Sequence, residues 1–117
     1  MTDIGRVFID HIGIAASSLE EGSKFWKLLG LVQGEHDEGN EEQGVVTRLF
    51  EVPASESRPP MLEILEPTGK DTPIGKFLSK RGPGIQQLCL RVEDIKQVIE
   101  HLLENGIKMI DESPRHG

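Results

Sequence analysis

A chain of 117 residues with a formal net charge of −7 is long enough for one modest hydrophobic core. The acidic balance argues against the clustered basic surface that a nucleic-acid footprint requires, and it leaves any anionic ligand dependent on local lysines and arginines. There is no apolar run approaching the roughly 20 residues of a membrane span, no second cysteine to pair with Cys89, and no signal-peptide core or basic transit segment at Met1–Arg6, so a reducing, cytoplasmic setting is expected.

Residues 7–16 alternate as a strand, with Phe8, Asp10, Ile12, Ile14 and Ala16 on one side and Ile9, His11, Gly13 and Ala15 on the other. The second side is small except for His11, as suits a strand that lines a pocket. Ser18 is a helix N-cap, and Leu19, Gly22, Phe25, Trp26 and Leu29 form an apolar stripe that stops at Gly30. Leu31–Glu35 reads as a short strand and the polar stretch His36–Gly44 as a loop. Its acidic residues match no calcium-loop spacing, so it is expected to be solvated. Strands follow at Val45–Val52 and Met61–Glu66, joined by a turn over Pro53–Pro60. Residues 67–73 read as a linker, and Thr72 with Pro73 opens a short helix through Lys80 that Arg81-Gly82-Pro83-Gly84 breaks. A strand at 85–92, a helix from Asp94 to Asn105, a stop at Gly106 and a short strand at 107–111 complete the chain. Cys89 falls in that strand and is expected to be a small core residue.

A shift of 76 residues lays the second half on the first without a gap. Ile9 then meets Ile85, Ile12 meets Leu88, Ile14 meets Leu90, Leu19 meets Ile95, the cap Ser18 meets the cap Asp94, and Gly30 meets Gly106. This agreement predicts two copies of one strand–helix module: module one over 5–67, a linker and short helix over 68–83, and a partial module two over 84–117. Two strands of the second copy are then lacking, which would leave an edge and half a core exposed, so the natural chain is expected to continue past Gly117.

The same shift places Gln87 on His11. Glu63, flanked by apolar residues in its strand, is costly unless it is paired or binds a cation. His11, Glu63 and Gln87 together offer one nitrogen and two oxygen donors, a divalent-metal set with open positions. Taken singly, they read as a core histidine, an edge-strand carboxylate and a polar filler. The repeat favours the metal.

Six segments, in order and at matching spacing over nearly the whole chain, carry a resemblance. They are Ile9-Asp10-His11-Ile12-Gly13-Ile14-Ala15, Glu42-Gln43-Gly44-Val45, Leu62-Glu63-Ile64-Leu65-Glu66-Pro67, Pro73-Ile74-Gly75-Lys76-Phe77-Leu78, Arg81-Gly82-Pro83-Gly84-Ile85, and Gly106 followed by Ile110-Asp111-Glu112-Ser113-Pro114-Arg115. This pattern resembles the methylmalonyl-CoA epimerase family, of the vicinal-oxygen-chelate superfamily that also contains glyoxalase I. The resemblance implies an α+β fold of paired βαβββ modules around a divalent metal (Co, Mn, Mg, Ni or Zn), and racemisation beside the thioester of an acyl-CoA such as methylmalonyl-CoA through a metal-stabilised enolate. It also implies a homodimer.

By motif the family's first two metal ligands fall on His11 and Glu63, and Gln87 stands where a third, a His, is expected. A fourth ligand, a Glu, would lie beyond Gly117, and the general-base Glu of some members corresponds to Thr47. Gln favours harder ions over tightly bound zinc, and a threonine hydroxyl cannot accept an α-proton at neutral pH. No catalytic residue is therefore assigned, and residues 1–117 alone are expected to be inactive. Lys70, Lys76, Lys80 and Arg81 could meet CoA phosphates, or simply be a solvated face. A glyoxalase-type lyase acting on a glutathione adduct and a non-catalytic binding protein of the same fold are the alternatives.

Overall fold

The structure, a computed structural model, describes residues 4–52 and 60–109. The described elements are β1 (Val7–Ala15), α1 (Leu19–Leu28), β2 (Val32–Gln33), β3 (Glu38–Asn40), β4 (Val45–Glu51), β5 (Met61–Pro67), α2 (Pro73–Arg81), β6 (Gly84–Val92) and α3 (Ile95–Glu104). The class is α+β, as expected. The strands run β2-β4-β5-β1-β6 across the sheet, with β3 pairing with β4. No described helix is long and apolar enough to cross a membrane.

Residues 9–89 form one compact unit. β1 and β5 run parallel, and β4 pairs antiparallel with β5. The period-2 alternation of β1 divides the apolar residues between two clusters. Ile12, Ile14 and Ala16 pack with Leu19, Phe50, Leu62 and Ile64, together with Trp26 of α1. Ala15, Val45 and Leu65 pack with Ile74, Phe77 and Leu78 of α2. Phe50 and Ile64 are fully buried, each removing from water an area worth about 1.5–3 kcal/mol.

Within the first cluster's side of the sheet lies a buried cation that the sequence did not announce. Arg48 of β4 donates from Nε and Nη2 to the two oxygens of Asp37, each at 2.9 Å, and from Nη1 to Ser23 Oγ at 3.1 Å and Glu20 Oε1 at 3.3 Å. The guanidinium fork tethers the segment before β3 to α1.

The helices start where their caps predict. Ser18 accepts from the Glu21 N–H, and Thr72 accepts from the Gly75 N–H at 3.0 Å while donating to the Gly69 carbonyl at 2.7 Å. Thr72→Ala should therefore lower stability by about 1 kcal/mol, read as a shift of the urea midpoint at unchanged m-value.

Residues 4–8 and 90–109 form the second unit. The Arg6 guanidinium pairs with Glu93 at 3.2 Å, and the Arg91 guanidinium stacks over the Phe8 ring at 4.6 Å. Asp94 caps α3 by accepting from the Gln97 N–H at 3.2 Å, and Ile99 is its buried residue.

Several expectations are corrected. The predicted loop 36–44 contains β3, made a strand by its antiparallel pairing with β4 (Glu38↔Thr47, Asn40↔Val45) rather than by its own acidic composition. The strand expected over Leu31–Glu35 shrinks to Val32–Gln33. Phe25 and Leu29 of the α1 stripe are 60% and 59% exposed; Leu19 and Trp26 of that stripe turn inward, joined by buried Ser23. β6, expected to be buried, exposes Ile85, Leu88 and Leu90. Residues 107–109 form no strand; 110 and 111, like most of the expected turn over 53–60, lie outside the described residues.

Candidate metal centre

The pairing of β1 with β5 sets His11 opposite Met61 and Gly13 opposite Glu63. Since His11 and Gly13 share a face, the imidazole and the Glu63 carboxylate emerge side by side, with His11 Nε2 at 3.6 Å from Glu63 Oε1. Gln87 of β6 donates from its amide nitrogen to the same Oε1 at 3.4 Å. All three residues singled out from the sequence meet on one face of the sheet. In this arrangement the Gln87 amide presents its nitrogen; turned over, it presents its oxygen.

Gly13 makes this meeting possible. A Cβ there would collide with the Gln87 side chain and crowd Leu65. The Gln87 stem lies in space that only a glycine leaves open.

His11 Nδ1 lies 2.8 Å from Asp10 Oδ2. An ionised carboxylate can only accept, so the Asp10 contact places a proton on Nδ1 and turns Nε2 toward Glu63. A carboxylate behind a ligating imidazole is the usual means of fixing its tautomer. Simple alternation puts Asp10 on the other side of β1, yet its carboxylate reaches His11.

Burial pushes the Glu63 carboxyl above its ordinary range. The charges of Glu38 and Asp10 push the same way, while His11 opposes them. Glu63 is therefore a partly buried acid whose ionised form a neighbouring cation would favour. Thr47 and its cross-strand partner Glu38 continue this face, because Thr47 stands opposite Leu65 in the second apolar cluster. The Thr47 hydroxyl donates to the Glu38 backbone carbonyl at 3.4 Å.

One residue of the site was missed. The Cys89 sulfur, a His11 ring nitrogen and an Asp10 carboxylate oxygen all lie within 4.8 Å of one another. Cys89 is half-buried beside polar groups, not the core residue expected. Burial first, and then the charges of Asp10 and Glu63, push its thiol up. The signal available was its place two residues beyond Gln87, on the same face of a strand.

An α+β sheet whose imidazole, carboxylate and amide converge on one face fits a known class of proteins. The family model described as the glyoxalase/bleomycin resistance protein/dioxygenase superfamily matches residues 10–117, and the chain belongs to that superfamily. Among its relatives, ethylmalonyl-CoA/methylmalonyl-CoA epimerase of Cereibacter sphaeroides is 30% identical over 109 residues, covering 92% of this chain and 75% of that protein. The uncharacterized Bacillus subtilis protein YqjC is 32% identical over 110 residues, covering 93% of this chain and 74% of that one. A solved structure of methylmalonyl-CoA epimerase in complex with methylmalonyl-CoA and ammonium is 32% identical and superposes with a TM-score of 0.82, covering 95% of this chain and 78% of that one. The chain spans 61% to 75% of the length of the curated relatives it matches. The fold is that of the vicinal-oxygen-chelate epimerases, and the relatives named as epimerases are isomerases.

Proposed function

We propose that this protein is an epimerase acting at the carbon α to a CoA thioester, of the methylmalonyl-CoA type, with a divalent cation held by His11, Glu63 and Gln87. The observation that carries the reading is the convergence of those three side chains, with Glu63 Oε1 at 3.6 Å from His11 Nε2 and 3.4 Å from the Gln87 amide nitrogen. Its substrate is read across from epimerase relatives at about 30% identity.

The donor set suits a cation. An imidazole nitrogen, a carboxylate and a turnable amide offer mixed N and O ligation, and Gly13 keeps the space open. A divalent cation bound there would supply Lewis-acid polarisation of the thioester carbonyl, which acidifies the α-proton.

The chain's own residues do the rest. Asp10 holds the His11 ring and its tautomer. Thr47 is no general base, because a neutral hydroxyl does not take up an α-proton at neutral pH; its hydroxyl donates to the Glu38 backbone carbonyl. We give the accepting role to the Glu38 side chain, and its register opposite Thr47 and its exposure to solvent support the choice. A cavity of about 400 Å³ lined by Ser17, Thr68, Lys70, Leu78 and Ser79 opens beyond the ends of β1 and β5. Along β1, Ala15 is four residues and about 13 Å from His11, a separation in keeping with an elongated acyl-CoA. The homodimer belongs to the same reading, and the exposed Phe25, Leu28, Leu29 and Val32 support it.

The test is solvent exchange. The whole natural chain, given methylmalonyl-CoA and Mn²⁺ or Co²⁺ in heavy water, should introduce one deuterium at the α-carbon. Chelator should stop it, and Glu38→Gln should slow it by at least about a hundredfold, within the usual range for an acid–base group. No exchange with any divalent cation would reject the epimerase. Tight acyl-CoA binding without exchange, unaffected by chelator, would instead make the protein a binding member of its superfamily.

A further inference from the structure

We propose that Cys89 is a sulfur ligand of the cation held at His11, so that this cleft takes a thiophilic divalent ion, Zn²⁺ or Co²⁺, in preference to Mg²⁺. The proposal rests on the cation reading above and specifies which cation that site selects. It reverses the preference for harder ions that Gln87 alone implies.

Three observations carry it. First, the Cys89 sulfur, a His11 ring nitrogen and an Asp10 carboxylate oxygen fall within 4.8 Å of one another. A thiolate and an imidazole on one tetrahedral ion, at about 2.3 and 2.1 Å from it, stand about 3.6 Å apart, a separation within that 4.8 Å bound. Second, the thiol stands among acids: an Asp10 carboxylate oxygen lies within 4.8 Å of it, and Glu63 shares its face of the sheet. A cysteine packed only for its volume gains nothing from carboxylates, whereas a cation held between the thiol and Glu63 satisfies both, with Asp10 behind the imidazole. Third, Cys89 lies two residues along β6 from Gln87, hence on the face that Gln87, Glu63 and His11 share. Thiolate and Glu63 carboxylate would together neutralise a divalent charge, with imidazole as the neutral ligand.

Cobalt gives a readout that does not depend on turnover. Cys89 is the sole cysteine of the 117 residues, and a near-ultraviolet thiolate-to-cobalt charge-transfer band that disappears in Cys89→Ser reports on it. Titration of the whole natural chain with Co²⁺ should produce that band together with the visible bands of the bound ion. Cys89→Ser should keep the visible bands, lose the charge-transfer band, and bind Zn²⁺ at least about tenfold more weakly. Alkylation of Cys89 by iodoacetamide in the wild-type protein, a measurement that needs no variant, should be blocked by Zn²⁺ and not by Mg²⁺. Visible cobalt bands without the charge-transfer band, or unimpeded alkylation with Zn²⁺ bound, would overturn the role of Cys89 and leave the cation site standing. Failure of Co²⁺, Zn²⁺ and Mn²⁺ all to bind would overturn both.

Discussion

His11→Ala is expected to bind Mn²⁺ or Co²⁺ more than about a hundredfold more weakly than the wild-type protein, since even groups behind the ligands typically cost about 10- to 100-fold. α-Proton exchange should fall with it. In the proposed set the imidazole is the nitrogen donor, and its removal takes away the group that opposes the effect of Asp10 and Glu38 on Glu63. The fold should survive, because His11 belongs to neither apolar cluster. Titration calorimetry of the metal-free protein measures the loss, with circular dichroism as the control on folding. Gln87→His serves as the opposite test: an imidazole at 87 should tighten binding by about tenfold, because it is a stronger donor than an amide oxygen for ions of this kind. Unchanged affinity in His11→Ala would place the cation elsewhere.

The second large effect is on stability. Asp37→Ala should cost about 2–3 kcal/mol, near the upper end for hydrogen bonds between charged groups and below the loss expected for a fully buried pair, since Asp37 is partly open to water. The melting temperature should drop by roughly 10 °C. The cost arises because buried Arg48 loses its bidentate partner and keeps only Ser23 and the exposed Glu20. The hydrogen bonds from Arg48 hold the Asp37 carboxyl below its ordinary value of 3.8, and the same contact raises Arg48. A carboxylate whose folded pKa is depressed gives stability that is complete above its unfolded pKa and disappears as pH falls through the folded one. Wild-type stability should therefore decline below about pH 4 more steeply than that of Asp37→Ala, as measured by denaturant melts along a pH series. Parallel declines would remove Arg48–Asp37 from the acid-sensitive part of the fold.

The strands and caps were legible because they are local. Alternation fixed β1, β4 and β5, and Ser18, Thr72 and Asp94 marked where helices begin, since a cap acts within three residues of itself. His11, Glu63 and Gln87 were legible through a repeat and a resemblance, neither of which needs distances. β3 was not, because nothing in Glu38-Gly39-Asn40 favours a strand until β4 offers it partners. Arg48 escaped notice because Asp37 and Glu20 lie 11 and 28 residues away. Cys89 was misread because the composition of Ile85–Val92 reads as core, whereas the structure leaves Ile85, Leu88 and Leu90 half or more exposed and turns the thiol toward a histidine. Phe25 shows the same limit on a helix: periodicity gives a stripe but not which edge of it the sheet will cover.

The missing side chain at position 13 has an evolutionary corollary. With the Gln87 stem lodged where a methyl group would otherwise sit, the two positions are not free to drift separately. Among divergent sequences of this branch, an alanine or serine at 13 should appear only alongside a shorter residue at 87, and the pair should emerge as covarying although 74 places separate them in the chain.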